Sequence, residues 1–396
     1  MDPSFQANGR IKREFSSLWL LAGVLTLFMA ASSAPTPLYR LYQEEWGFSA
    51  MTLTAVFGVY AISLLAALLT VGGLSDDIGR RPMIITSIIL EILAMALFLS
   101  AGSVAALMVA RIVQGIATGI AASALGAAIF DADKHRAPLV NGVVPMVGMG
   151  GGALLSGVLA AYAPMPTQTV FVVLIAAFTV FGILIWRFLP ETISRRSWGL
   201  GRLLPTVHVP SQARSAFLMV APVNIAVWAL GGFYLSLVPS LVRQALHSAS
   251  PLIGGAVVAV LTVSGAVAIG VMQPWSPLRL FRIGAGGLMI GPVLVLIGMH
   301  QSWPVVLVAG TVVAGIGFGV GFLGSLRLLL PLAHPGERAG LMSAFYVMSY
   351  LANCLPSLLA GFWVQKAGLQ LVSDCYAVVL VLLSVSALTL NVRHRQ

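Results

Sequence analysis

Twelve runs of about 20 mostly apolar residues recur along this chain, at about 17–39, 49–72, 82–101, 104–130, 138–162, 168–188, 214–238, 250–273, 281–299, 303–328, 338–364 and 371–391. Nothing else in the sequence restricts its fold so tightly. A run of that length crosses the roughly 30 Å hydrocarbon core of a bilayer as an α-helix. Open β-edges cannot face lipid, and the runs lack the alternation of an outer-membrane strand, so each is read as a helix. Composition agrees. With 59% hydrophobic and only 9% charged residues among 396, a water-soluble fold would have too little polar surface to cover itself. The expectation is an all-α, multi-pass membrane protein embedded in the lipid bilayer. The basic start (Arg10, Lys12, Arg13) runs into a full-length span with no A-x-A pattern after it, so no cleavable signal peptide is expected.

Orientation follows from the basic residues. With the N-terminus in the cytoplasm, 17 of the 22 Lys and Arg fall in cytoplasmic segments; Arg40, Arg243 and Lys366 fall outside, and Arg111 and Arg327 lie within spans. Both termini are therefore expected to be cytoplasmic. The net charge of +10 is read as topology and anionic-lipid contact, and no nucleic-acid partner is expected. Cys354 and Cys375 fall in different spans at different depths, so neither a disulfide nor a two-thiol metal site is expected.

The longest polar connection, "ETISRRSWGLGRLLPTVHVPSQAR", separates six spans from six. Its composition marks a domain boundary: an N-terminal six-helix bundle over 1–190, a cytoplasmic linker over 191–213, and a C-terminal six-helix bundle over 214–396. Trp198 to Leu204 is read as a short amphipathic piece on the inner leaflet. The halves are related in sequence. Val113, Gly115, Ile116 and Gly119 match Val313, Gly315, Ile316 and Gly319 at an offset of 200, which also roughly superposes span 1 on span 7 and span 2 on span 8. A duplicated six-helix unit is the economical reading.

Chemistry concentrates in a few places. Gly115 and Gly119, and the run "VGMGGGALLSG" at 147–157, allow close approach of helix backbones, and such stripes also let bundles rock past one another. Arg111, Gln114 and Thr118 fall on one face of span 4, and an intramembrane arginine normally meets a partner or a polar cavity. Glu91 is the expected partner, because it lies ten residues before the turn near Ala101 and Arg111 lies ten after it. The pair either fixes helix register or has room for a proton. Ser32, Thr36 and Tyr39 in span 1, Asn224 and Trp228 in span 7, and Tyr346, Tyr350 and Asn353 in span 11 each follow helical spacing. Together they outline a mixed aromatic and polar pocket for a small-molecule substrate near mid-membrane. Arg327 is read as snorkelling to the interface.

Absences narrow the function. No phosphate loop of the G-x-x-x-x-G-K-[ST] type is present, no His/Cys/Glu cluster suits a metal, and no nucleophile–base arrangement stands out. Neither an enzyme nor a bound cofactor or metal is expected.

The stretch "VGGLSDDIGRRP", from Val71 to Pro82, resembles the signature between helices 2 and 3 of the major facilitator superfamily, G-x-L-A-D-R-x-G-R-K. Gly72, Leu74, Asp76, Gly79, Arg80 and Arg81 match it; Ser75 is a mild substitution, and Asp77 stands where the family usually has a basic residue. Arg111, Gln114, Gly115 and Gly119 resemble the family's R-x-x-q-G motif of helix 4. Gly142, Gly148 and Gly152 fit the frame of the antiporter motif of helix 5, but Met149 replaces its proline and Pro145 lies one turn earlier. The resemblance covers essentially the whole chain and points to uncharacterised bacterial twelve-helix members. It implies the major facilitator fold of two pseudo-symmetric bundles in a bacterial inner membrane, acting as a monomer. It also implies a cytoplasmic gate, with Asp76 against the start of helix 11 near Ala339 to Ser343, and Arg80 or Arg81 paired with Asp131.

The resulting expectation is a proton-coupled secondary transporter working by alternating access, exporting a small, partly hydrophobic compound or drug. Proton symport of a small organic acid is the alternative, since Arg111 offers a cation. A non-transporting receptor or scaffold on the same fold is the third reading.

Overall fold

In the computed structural model, every regular element among the described residues is helical. The structure describes residues 3–191, 207–248, 250–334 and 336–393, with the side chains of all but residues 3–16, 76 and 391–393. Among these residues, twelve helices are long and apolar enough to cross a membrane. The expected amphipathic piece at Trp198 to Leu204, and most of the linker, lie outside the described residues.

In the N-terminal half the chain forms α1 (Pro3–Ser33), α2 (Tyr39–Trp46), α3 (Ala50–Val71), α4 (Ser75–Ile78), α5 (Arg80–Leu99), α6 (Val104–Ala132), α7 (Ala137–Tyr162) and α8 (Thr169–Phe188). The C-terminal half follows with α9 (Arg214–Ser236), α10 (Val238–Ala245), α11 (Pro251–Met272), α12 (Pro277–His300), α13 (Pro304–Leu329), α14 (Arg338–Ala367) and α15 (Leu369–Arg393). Local chemistry sets many of these boundaries. Ser49 and Ser103 cap α3 and α6 by accepting from the backbone N–H of Thr52 and Ala106. Proline opens α11, α12 and α13, where a missing N–H leaves no intrahelical bond unmade.

Span 1 departs from the expected single helix. It stops at Ser33, passes through a tight turn over Thr36–Leu38 and resumes as α2. Pro35 and Pro37 cause the break, because proline removes a backbone donor and crowds the preceding turn. The supposed common face of Ser32, Thr36 and Tyr39 is therefore divided between two helices.

Three buried clusters result, one drawn from residues 18–189, one from residues 213–387, and a smaller one that sets Met146 of α7 against α11, α12 and α13 across the halves. The halves meet along two seams, α7 against α11 and α3 against α14. In span order these are 5 with 8 and 2 with 11. Exchanging the halves turns each seam into the other, as a pseudo-twofold axis requires. Glycine makes the first seam close: a Cβ on Gly157 would fall 3.1 Å from Leu252 Cα, and one on Gly255 would collide with the Ala153 carbonyl. The run at 147–157 in fact packs on two sides. Gly148 and Gly152 lie against α1 within the same half, whereas Gly150 and Gly157 face α11 across the seam.

Candidate functional site

The face holding the 72–81 turn is called the motif face, and the opposite one, which holds α2 and α10, the far face. At the motif face Gly79 separates α4 from α5 at φ 112° and ψ 152°, a conformation open in practice to glycine alone. The next two backbone N–H groups, of Arg80 and Arg81, donate to the two carboxylate oxygens of Glu191 at 3.2 and 3.1 Å. Glu191 thus caps α5 from more than a hundred residues away and places a negative charge at its N-terminus. Arg80 Nε lies 3.3 Å from Asp131 Oδ2 at the end of α6, and its Nη1 donates to Ser75 Oγ at 2.6 Å. Arg81 turns instead to the Trp186 carbonyl at the end of α8. A Cβ on Gly72 would touch Ser123 of α6 at 3.4 Å. Asp77 is buried, and the side chain of Asp76 lies outside the described residues.

Within the N-terminal bundle, Glu91 of α5 and Arg111, Gln114 and Thr118 of α6 are all buried. Glu91 and Arg111 do not pair directly as the hairpin register suggested; Gln114 stands between them. Its Nε2 donates to Glu91 Oε1 at 3.1 Å, and its Oε1 accepts from Arg111 Nη1 at 2.6 Å. The physical reason is that the Arg111 guanidinium is drawn toward α1 and α2. Its Nε donates to the Tyr39 hydroxyl at 2.8 Å and its Nη1 to the Ser32 carbonyl at 3.0 Å, while Nη2 also reaches Tyr39. The rings of Tyr39, Tyr60 and Phe98 surround its carbon at 5.4, 5.2 and 5.6 Å, within cation–π range. Glu91 Oε2, Thr118 Oγ1 and Thr36 Oγ1 are buried without a hydrogen-bond partner.

Close packing of α3 on α6 makes this cluster possible. A Cβ on Gly115 would lie 2.5 Å from the Tyr60 carbonyl, and one on Gly119 would lie 2.6 Å from that of Leu64. The missing side chains bring Tyr60 of α3 over Arg111.

The C-terminal bundle carries a polar and aromatic cluster of its own. Asn224 Nδ2 donates to Ser349 Oγ at 2.8 Å, and Asn353 Nδ2 to the Trp228 carbonyl at 3.1 Å, so α9 and α14 are tied twice. Trp228 packs on Tyr350 with centroids 4.8 Å apart, and Tyr346 follows at 6.3 Å from Tyr350. Asn224 Oδ1 and Trp228 Nε1 have no partner. Tyr60 stands on α3, the helix that packs on both α6 and α14, with its ring 5.2 Å from the Arg111 guanidinium carbon. Tyr60, Ser349 and Glu191 are thus members of these constellations that the sequence did not single out. Tyr60 sits in an apolar run with only Ser63 as a polar neighbour one turn away, and Glu191 stands at the edge of the linker. Arg327 lies apart from both clusters, donating to the Gln273 carbonyl at the end of α11 at 2.6 Å.

The far face is closed. On the α3–α14 seam a Cβ on Gly58 would touch Leu358 at 3.4 Å, and one on Gly361 would collide with Thr54. Glu44 of α2 and Arg243 of α10 approach to 3.9 Å across the divide, and Arg40 holds Glu44 at 2.9 Å from its own side.

Twelve membrane-length helices among the described residues, in two related halves with buried polar groups on both sides of the contact between them, are the architecture of a polytopic membrane transporter. The family model of the Major Facilitator Superfamily matches residues 20–356, and the chain belongs to that family. A curated relative, the multidrug resistance protein MdtL of Shewanella sp. (strain ANA-3), is 29% identical over 183 residues. That match spans 44% of each protein, so less than half of the relative's length is matched. Among solved structures, a point mutant of the nucleoside transporter NupG superposes with a TM-score of 0.72 at 12% identity. The human organic anion transporter MFSD10 (TETRAN) gives 0.68 at 19% identity. Each covers 94% of this chain and 99% of its own, a likeness of fold.

Proposed function

We propose that this chain is a proton-coupled secondary transporter that exports a small, partly hydrophobic compound by alternating access. The motif face is then the cytoplasmic face of a bacterial inner membrane, and the two six-helix bundles, 1–190 and 214–396, act as rigid halves of a monomer. The observation that carries the reading is Glu91. It is wholly buried, one of its oxygens accepts from Gln114, and the other has no partner. That open oxygen is where a proton can be held. Through Gln114, Glu91 is linked to Arg111 and so to α1, and Arg111 lies against Tyr60 of α3, the helix that meets α14 of the opposite half. A change of charge at Glu91 therefore acts on the contact that must rearrange when the halves rock. Trp228, Tyr346 and Tyr350, with the unfilled Asn224 Oδ1, supply apolar and aromatic surface for the cargo. The multidrug resistance protein among the relatives supports export of such a molecule.

Arg80 bonded to Asp131, with Arg81 and the α4 turn, forms the cytoplasmic latch in this reading. The family resemblance implies that this latch holds in the outward-facing state and breaks in the inward-facing one; here Arg80 and Asp131 are paired while the far face is also closed. Symport of an organic acid is less well supported, because every nitrogen of Arg111 is engaged within its own bundle, which takes up four of its five N–H donors.

The test is flux in proteoliposomes with and without an inward proton gradient, for wild type and Glu91→Gln. Gradient-driven export by the wild type and its loss in the variant, with exchange at equilibrium retained, is the expected result. Gradient-driven flux unchanged in Glu91→Gln removes Glu91 as the proton carrier.

A further inference from the structure

A second cavity lies away from the seams, inside the C-terminal half at the far face. It holds about 250 Å³ between α10, the end of α12 and the start of α15. That is well above the space one water needs and close to the lower end of small-molecule sites. Asp374 lines it, with Oδ1 at 2.9 Å from His300 Nε2, and His300 Nδ1 is 2.9 Å from Gln370 Nε2. His300 thus lies between the amide and the carboxylate, and holds Asp374 from one side only. Its second oxygen is left to a ligand. Two helix C-termini, of α10 and α12, end at the same wall and add partial negative charge, although the carbonyls of residues 242–245 and 297–299 already accept bonds from the turns that follow. The N-terminus of α15 opposes them, but Asp374 in its second turn outweighs that partial charge.

A separate observation marks the same place. Among the described residues, the two non-glycine residues at positive φ are His247 at 50° and Ser302 at 52°, and both line this cavity. These are the left-handed residues that close the ends of α10 and α12, with Ser248 N–H donating to the Arg243 carbonyl and Trp303 N–H to that of Gly298, and they bring both helix ends to the cavity wall. Ser302 Oγ donates to the Ala245 carbonyl at 3.2 Å and holds the two loops together. Toward the membrane interior the cavity shares Leu296, Met299 and Ser373 with a narrower apolar crevice between α9, α12 and α15.

We propose that this cavity binds an organic ammonium ion with an apolar body, the ammonium against Asp374, the body over Leu296 and Met299. The same chemistry is presented by a free amphiphilic amine and by the amine headgroup of a membrane lipid. The test uses the full chain, stripped of lipid in a neutral maltoside detergent, with hexylammonium as the probe in ligand-observed NMR titrations. Saturable binding is expected, uncompeted by hexanoate and weakened at least tenfold in Asp374→Asn. Equal affinity in that variant, or equal binding of hexanoate, overturns the proposal. Should Asp374→Asn not fold, Leu296→Trp keeps the carboxylate and fills the cavity; it must abolish binding, and unchanged binding overturns the proposal equally. Native mass spectrometry separates the sources. Phosphatidylethanolamine retained by the wild type and displaced by hexylammonium assigns the headgroup; hexylammonium binding with no retained lipid assigns the free amine.

Discussion

Arg111 satisfies its charge with a phenol, a carbonyl and an amide, and reaches a carboxylate only through Gln114. Three acceptors in three directions suit a planar fork and not a point charge. Arg111→Lys should therefore lose at least two charge-assisted bonds, lowering stability by about 3 kcal/mol, seen as a fall in the melting temperature of the purified protein. Gln114→Leu should cost about 1–3 kcal/mol by leaving Glu91 buried without a donor. Because the two residues share one bond, Glu91→Gln combined with Gln114→Leu should destabilise by clearly less than the sum of the single changes; additive losses in the same melting assay would contradict the bridge. Counting residues from the turn near Ala101 made the common depth of Glu91 and Arg111 legible. It could not show the bridge, which depends on Arg111 turning toward Tyr39, a residue 72 positions earlier. Tyr60 was illegible for a related reason, since its place over Arg111 is set by how closely α3 approaches Gly115.

At the scale of elements, the turn from α4 into α5 joins one conformational demand to one electrostatic one. Gly79 at φ 112° gives the chain its reversal, and Glu191 fills the end of the helix that begins there. The two are coupled sterically, because a Cβ on Gly79 would fall 2.5 Å from Glu191 Oε2. Gly79→Ala should then destabilise through backbone strain of about 1–3 kcal/mol and through displacement of the cap. Glu191→Ala should cost about 1 kcal/mol, typical of a lost N-cap. In the double variant the collision is gone, so the loss should fall below the sum, as thermal unfolding of the four proteins would report. The motif made Gly79 conspicuous, whereas its partner was hidden by sequence distance. The twelve membrane-length helices were legible, because apolar length alone fixes them in lipid, whereas the short helices α2, α4 and α10 were not. The break in span 1 was written in Pro35 and Pro37 but overlooked, since hydropathy is blind to a missing N–H.

For the whole molecule, the duplication read from a 200-residue offset reappears in the paired seams, but the seams themselves were not legible. Which helices face each other across the halves depends on glycine contacts such as Gly255 on Ala153, and those glycines look like any others in a glycine-rich chain. The clearest consequence of the assembly is electrostatic. By their boundaries α2 and α10 are related by an offset of 199, which carries Glu44 onto Arg243, so the far face is bridged at equivalent positions of the two repeats. Partial burial holds Arg243 below the ordinary arginine value; Glu44 works against this shift, and the neighbouring Arg40 adds to it. Glu44 thus lies between two cations, 2.9 Å from Arg40 and 3.9 Å from Arg243. Removing it leaves only repulsion across the divide, whereas removing Arg243 deletes one attraction and one repulsion together. Glu44→Gln should therefore open the far face more than Arg243→Gln does. With an exposed partner such as Glu44, a pair contributes roughly 0.2–1 kcal/mol, or about a one-and-a-half- to fivefold change in population. The readout is labelling of a cysteine at buried Thr54, in a background with Cys354 and Cys375 replaced by alanine, using a membrane-impermeant maleimide. Rates should rise from wild type to Arg243→Gln to Glu44→Gln, fall back when Arg40→Gln is added to Glu44→Gln, and converge at high salt as screening weakens the exposed charges. Faster labelling in Arg243→Gln than in Glu44→Gln would mean that packing on the seams, and not this charge cluster, holds the far face shut.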